Sequence, residues 1–185
     1  APMAMHSGGT LAAAVSKAGG LGSFGAIHIS KGPDWLRGEI AHIRSETDRP
    51  FAVGFITNFI PMFRAQFDAT IEAKPPIIAF SFGNPERYVD QAKAAGARVM
   101  CQVQTLEGAK TAVDAGTDVL VAQGNEAGGH TGRMNLLPFL VRLIELYPDV
   151  PIMAAGGISS GRALAAVLAA GAEGCSRTPP ARGCC

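Results

Sequence analysis

Asp114-Ala115-Gly116-Thr117-Asp118-Val119 carries the reading of the fold: a helix-forming stretch runs into a glycine and leaves it as an apolar, β-branched run. The same junction recurs at Lys17-Ala18-Gly19-Gly20-Leu21, Ala94-Ala95-Gly96-Ala97-Arg98-Val99 and Ala169-Ala170-Gly171-Ala172. Glycine accepts the left-handed conformation just past a helix C-terminus, so each junction predicts a helix end followed by a strand.

Outward from these junctions, apolar runs occupy residues 21–24, 51–56, 77–82, 98–103, 119–122 and 152–154. They are continuous rather than alternating, as strands buried on both faces are. Between them lie helical patterns. Leu36, Ile40 and Ile43 share a face, as do Phe63, Phe67 and Ile71, and Asn84-Pro85 supplies an N-cap with a first-turn proline.

With residues 1–3 counted as the end of a first strand, the chain holds seven strands in a βαβα order. The expectation is an α/β fold, a (β/α)8 TIM barrel truncated at both ends, with the first strand partial and the eighth missing. After Gly171-Ala172 the stretch Ser176-Arg177-Thr178-Pro179-Pro180-Ala181-Arg182-Gly183 offers no apolar run and two prolines that cannot donate to a ladder. Residues 1–174 therefore read as one incomplete barrel domain. Residues 175–185 read as a tail foreign to it, of the kind a shifted reading frame or an alternative end produces. A doubly wound open sheet is the alternative, because strand order is not written in a single sequence.

Sixteen basic residues against fifteen acidic ones, with no cluster of either sign, argue against nucleic acid or an anionic membrane surface as partner and for a small molecule. The longest apolar stretch, residues 163–172, is half of the ~20 residues needed to cross a bilayer. The cysteines form no disulfide framework, which fits a reducing cytoplasm. His6, His28 and His42 have no carboxylate or Cys at ligand spacing, so they read as solvated loop or helix-face residues and no metal site is expected.

In parallel α/β folds ligands bind at the carboxyl ends of strands. After the run at 119–122 comes Gln123-Gly124-Asn125-Glu126-Ala127-Gly128-Gly129-His130-Thr131-Gly132-Arg133, whose glycines permit close backbone approach and which presents one imidazole. After the run at 152–154, Ala155-Gly156-Gly157-Ile158-Ser159-Ser160 opens into a helix, and backbone N–H groups at such a start can hold a phosphate. Ala1-Pro2-Met3-Ala4 would line the barrel mouth beside Thr57-Asn58, Gln102 and Gln123, either as ligand contacts or as satisfied polar residues at strand ends.

Ala1-Pro2-Met3, the stretch at 11–22, the Gln123 to Gly132 segment with its Glu-Ala-Gly-Gly-His, and residues 151–158 together resemble the nitronate monooxygenase family, formerly the 2-nitropropane dioxygenases. The likeness extends to Gly174. The resemblance implies a flavin-dependent oxidoreductase with FMN at the C-terminal mouth of the barrel. Pro2, Met3 and Ala4 would line its ring system, Gln102 and Gln123 its polar edge or ribityl chain, and Gly128, Gly156 and Gly157 would bring backbone amides to it, with Asn58 as a further contact. It implies His130 as catalytic base, a nitroalkane or nitronate as substrate, O2 as co-substrate, and a carbonyl compound and nitrite as products, and it leaves a homodimer open. Enoyl-thioester reductases and NADH:quinone reductases share the motif. The family's Gly-Thr-Arg-like turn after the eighth strand is absent, so the expectation for this chain is weak FMN binding, or an inactive fragment whose open strand edges pair or aggregate.

Overall fold

All four glycine junctions close in the same way. Gly19, Gly96, Gly116 and Gly171 have φ values of 92°, 88°, 86° and 100°. At each, the glycine N–H and the next N–H turn back onto the last helical turn, as in Gly116 N to Val113 O at 2.8 Å and Thr117 N to Ala112 O at 3.1 Å. This double bond pattern satisfies carbonyls that the helix end leaves open and aims the chain into the next strand.

The computed structural model describes residues 6–176. In chain order the elements are α1 Gly9–Lys17, β1 Gly22–Gly25, α2 Pro33–Glu46, β2 Phe51–Ile56, a 3-10 turn Thr57–Phe59, α3 Arg64–Ala73, β3 Ile77–Ser81, α4 Glu86–Ala94, β4 Arg98–Val103, α5 Leu106–Asp114, β5 Val119–Gln123, α6 Leu136–Leu146, β6 Ile152–Ala155, α7 Gly161–Ala169 and β7 Gly174–Ser176. Asn84 Oδ1 accepts the Glu86 N–H at 2.9 Å at the start of α4, and α2 buries Leu36, Ile40 and Ile43. On α3 Phe67 is fully buried, while Ile71 and, just before the helix, Phe63 pack half-buried against the core.

The strands form one parallel sheet in the order β1-β2-β3-β4-β5-β6-β7. A doubly wound sheet reverses its strand order at a switch point, whereas this order never reverses. Right-handed crossovers repeated in one direction place every helix on the same face, and the sheet curls into a half-barrel.

Cys175 and Ser176 continue β7, pairing with Ala154 and Ala155 of β6, so a short strand of three residues follows α7 in a barrel that is still truncated. The pairing is a backbone matter: the Gly171 turn and the Glu173 N–H on Ile152 O at 2.9 Å bring the chain alongside β6, and no apolar run is needed for that. The remainder of the 175–185 tail, like residues 1–3 counted as a first strand, lies outside the described residues.

Alternation along the strands divides two layers. Phe55 and Phe80 face the helices, where Phe55 meets Phe67 edge-on at 5.4 Å and Phe80 stacks on Tyr88 at 6.2 Å. Each such buried ring contributes about 1.5–3 kcal/mol by area. The opposite, inner face carries Gly25, Gly54 and Ala79 at paired positions of β1, β2 and β3, followed by Met100 on β4. Barrel interiors are ordinarily filled by layers of branched side chains. Three positions with little or no side chain leave this one hollow.

Candidate active site

The hollow opens at the carboxyl ends of the strands as a cavity of about 700 Å³. Its lining is apolar at Ile27, Ile56, Met100 and Val121 and polar at Gln102, Gln123, Glu126, His130, Ser159 and Ser176. A volume of this size lies in the usual range for small-molecule sites, about 300–1,000 Å³, and so does the pattern of apolar walls with a few polar groups.

The glutamines form a network set by strand register. β4 and β5 pair Gln102 with Val121 and Val103 with Ala122, which brings Gln123 level with the residue after β4, Gln104. Gln123 is 6% exposed. Its Oε1 accepts from Gln102 Nε2 at 2.9 Å and from Gln104 Nε2 at 2.6 Å. A carbonyl oxygen holding two donors fixes the amide's orientation, and the Gln123 amino group is left as a donor toward the cavity. Gln104 escaped the sequence reading because the apolar run ends at Val103. Its spacing of two from Gln102 was the available signal, since alternate strand residues share a face.

The Gly-rich loop after β5 is a closed loop with a fixed neck. The Asn125 N–H donates to Met134 O at 2.8 Å, and Asn125 Nδ2 donates to Asn135 Oδ1 at 3.0 Å. Both carboxylate oxygens of Glu126 accept the Leu136 N–H, at 3.1 and 3.0 Å. Glu126 thereby caps α6 and sets its negative charge on the positive end of the helix dipole. This role was not read from the sequence, because α6 begins ten residues downstream and no capping pattern spans that distance.

His130 sits exposed at the loop's far end, on the cavity rim. Its ring meets Phe82 edge-on with centroids 6.0 Å apart. Phe82 itself has φ 56°. A bulky residue in the left-handed region costs of order 1–3 kcal/mol and persists where the surroundings enforce it, typically at functional sites.

Gly156 and Gly157, with φ values of 130° and 63°, follow β6. A Cβ on either would approach the loop after β5, at 3.1 Å from Ala127 N for Gly156 and 3.2 Å from Glu126 Cβ for Gly157. These glycines therefore serve loop-on-loop packing as well as lining the cavity. At Gly128 and Gly129 a Cβ would meet nothing within 4 Å, so open space lies over that backbone. Ser160 caps α7, accepting from Ala163 N at 3.2 Å.

The structure thus brings together His130, Gln102, Gln123, Gly128, Gly156 and Gly157 around one cavity. Asn58 stands apart. It is exposed beyond β2, its N–H donates to Phe82 O at 3.2 Å, its side chain crowds Gly83, and it does not line the cavity. Pro2, Met3 and Ala4 lie outside the described residues. Of the other histidines, His28 is half-buried and packs on Trp35 at 5.1 Å rather than being solvated. Among the described residues no helix is long and apolar enough to cross a membrane.

The nitronate monooxygenase family model matches residues 1–177. A nitronate monooxygenase from Paraburkholderia phytofirmans is 33% identical over a stretch that takes in 94% of this chain and 59% of that protein. A probable nitronate monooxygenase from Staphylococcus saprophyticus is also 33% identical, over 89% of this chain and 58% of its own length. Among solved structures, FabK from Thermotoga maritima superposes with a TM-score of 0.87 at 38% identity, covering 95% of this chain and 55% of that one. A nitroalkane oxidase from Streptomyces ansochromogenes gives 0.84 at 32% identity, covering 95% and 62%. The chain spans less than two thirds of the length of each of these relatives. With the family model matched along nearly all of its length, on the fold and around the cavity just described, the chain belongs to the nitronate monooxygenase family.

Proposed function

We propose that this chain forms the barrel of a flavin-dependent oxidoreductase, a nitronate monooxygenase that converts nitroalkanes or their nitronates with O2 into a carbonyl compound and nitrite. The observation that carries the reading is the cavity itself. One hollow with apolar side chains in its wall is lined as well by two glutamine amides, the backbone of Gly128, Gly129, Gly156 and Gly157, and a single imidazole.

These residues fit FMN. The open backbone at Gly128 and Gly129 leaves room for a flat ring, Gly156 and Gly157 border the same cavity, Gln123 offers a donor to a ring carbonyl or nitrogen, and the start of α7, beside the lining residue Ser159, offers N–H groups to a phosphate. When bound, FMN supplies electron transfer between substrate and oxygen, and the protein supplies placement and electrostatics. The work of this chain's own residues begins with the apolar side chains of Ile27, Ile56 and Val121 in the cavity wall, which take the alkyl part of the substrate and leave its α-carbon for the imidazole. The His130 imidazole, held against Phe82, removes the α-proton from a neutral nitroalkane and keeps it as the nitronate forms. Such a positioned base is typically worth about 10² to 10⁴-fold. A substrate supplied as the nitronate has no proton to lose, and there the protonated imidazole pairs with the anion.

A second reading, a flavin-dependent enoyl-thioester or quinone reductase, fits the likeness to FabK, which is as high as that to the nitroalkane oxidase. Nitrite release with oxygen uptake supports the monooxygenase; NADH oxidation driven by a quinone or an enoyl thioester, without nitrite, moves the assignment to the reductase. Within the first reading, His130→Ala is expected to retain a bound flavin's visible spectrum. It should lower turnover of neutral nitroalkanes by about 10² to 10⁴-fold and of preformed nitronates far less. Equal losses on the two substrates refute the role of base.

A further inference from the structure

We infer that Gln104 is the positioning residue for His130, its amide clamping the His130 main chain to the side chain of Gln123 and so coupling the base to the group that meets the cofactor. The inference rests on His130 being the base of a flavin-bearing cavity. Its evidence is the way the loop is held.

The loop's neck is secured by Asn125 and Glu126, as described. Beyond the neck the situation differs. Among the described residues, one hydrogen bond reaches the stretch 128–133, and it runs from Gln104 Nε2 to His130 O at 3.0 Å. The two residues before His130 are glycines, Gly129 with φ 78° and neither with a contact that a side chain would meet, so the backbone leading to the imidazole has little stiffness of its own. On the other side, a Cβ on Gly132 would lie 2.9 Å from Gln104 Cβ and 3.1 Å from Gln104 O. The loop is therefore laid directly on Gln104, with a glycine where the two chains touch.

The chemistry of the clamp is specific. The Gln104 amino group has two hydrogens, and it has two acceptors, His130 O at 3.0 Å and Gln123 Oε1 at 2.6 Å. Both hydrogens are used. A glutamate in its place carries no hydrogen to give and sets its charge against two carbonyl oxygens. A methionine fills the same space with no polar group at all. Misplacing a reacting group by an ångström costs up to about 10²-fold. Releasing the tip should therefore slow proton abstraction while leaving the apolar side chains of the cavity wall and substrate binding alone.

The test uses the full chain with Gln104→Met, Gln104→Glu and Gly132→Ala, the last pushing the loop off Gln104 from the opposite side. The first measurement needs neither flavin nor activity. Proton NMR of the four histidine rings is recorded, with His130 assigned through His130→Ala, and His28, packed on Trp35, serves as the control for an intact fold. The expected result is that the ring-current shift imposed on His130 by Phe82 collapses in all three variants while His28 does not move. The second measurement is nitrite release. kcat for neutral nitroalkanes should fall roughly 10- to 100-fold, with KM and the rate on preformed nitronates changed less than about threefold, and Gln104→Glu worse than Gln104→Met. An unmoved His130 resonance and unchanged kcat, where His130→Ala does lower turnover, overturn the inference. If His130→Ala has no effect on turnover, the base reading is what falls, and the His130 ring shift alone decides the clamp.

Discussion

Gly124→Ala is the most direct probe of how the β5 loop and α6 hold each other. A methyl at Gly124 would meet Glu126 Oε2, and would stand 2.5 Å from Leu136 Cβ and 2.6 Å from Leu136 Cα. The carboxylate can swing away, but Leu136 is the buried first residue of α6, and its Cα and Cβ move only with the helix. Carbon atoms pack best at about 3.5–4.0 Å, so the start of α6 has to recede by about 1 Å. The Glu126 bonds to the Leu136 N–H, now 3.0 and 3.1 Å, then stretch beyond hydrogen-bonding range. Overpacking of this kind costs about 1–3 kcal/mol and loss of a helix cap about 1 kcal/mol more. At about 2–4 °C per kcal/mol for a domain of this size, the midpoint of thermal unfolding followed by circular dichroism should drop by roughly 5–15 °C. A double-mutant cycle sharpens the test. Glu126→Ala alone should cost about 1 kcal/mol, but close to nothing in the Gly124→Ala background, where the bond is already lost. A midpoint within about 2 °C of the parent, or full additivity in the cycle, refutes the account of Glu126 as the α6 cap.

Two further outcomes can be checked by unfolding experiments. Burial lifts the Cys101 thiol from 9.0 to about 11. The unfolded chain therefore loses this proton first, and the stability the thiol contributes is complete below pH 9 and is lost as pH rises through about 11, to the extent of roughly 1–3 kcal/mol. Denaturant midpoints between those pH values should fall less steeply in Cys101→Ala. Gly96→Ala, at φ 88° with free space around it, should cost about 1–2 kcal/mol from backbone strain alone. Gly38→Ala, inside α2 with equal space and no positive φ, should instead stabilise by about 0.5–1 kcal/mol. Equal effects at the two positions would contradict the junction argument.

The barrel was legible because two signals repeat: the glycine that ends a helix and the continuous apolar run that follows. Residues 51–56 and 98–103 were read to the residue as β2 and β4: the first is apolar throughout, and the second starts two residues after the Gly96 junction and ends where the apolar run ends at Val103. β7 was illegible for the converse reason: Gly174, Cys175 and Ser176 join the sheet through backbone bonds, which leave no mark on side-chain pattern. Around the cavity, Gln102, Gln123, Gly128, His130, Gly156 and Gly157 were found from their places at strand ends. Gln104 and the capping role of Glu126 were not, because each depends on what lies opposite it. Gln104 matters through the register of β4 on β5, and Glu126 through the return of the chain at Leu136. Asn58, chosen by the same strand-end rule, lies beside the cavity rather than in it, because the 3-10 turn that begins at Thr57 carries it out of the strand direction.

Because each described strand pairs with its successor, no contact among the described strands waits on a distant part of the chain. Each βα unit needs only the one before it, so folding can spread from unit to unit, and cooperativity should fade toward the ends of the row. Among the described residues β2 to β6 have neighbours on both sides, whereas β1 and β7 have one each. Amide hydrogen exchange should then be slowest in β3, β4 and β5 and fastest in β7. The two sides of the cavity would consequently differ in rigidity: the glutamines and the root of the His130 loop grow from the most protected strands, while Ser176 stands on the strand that opens first.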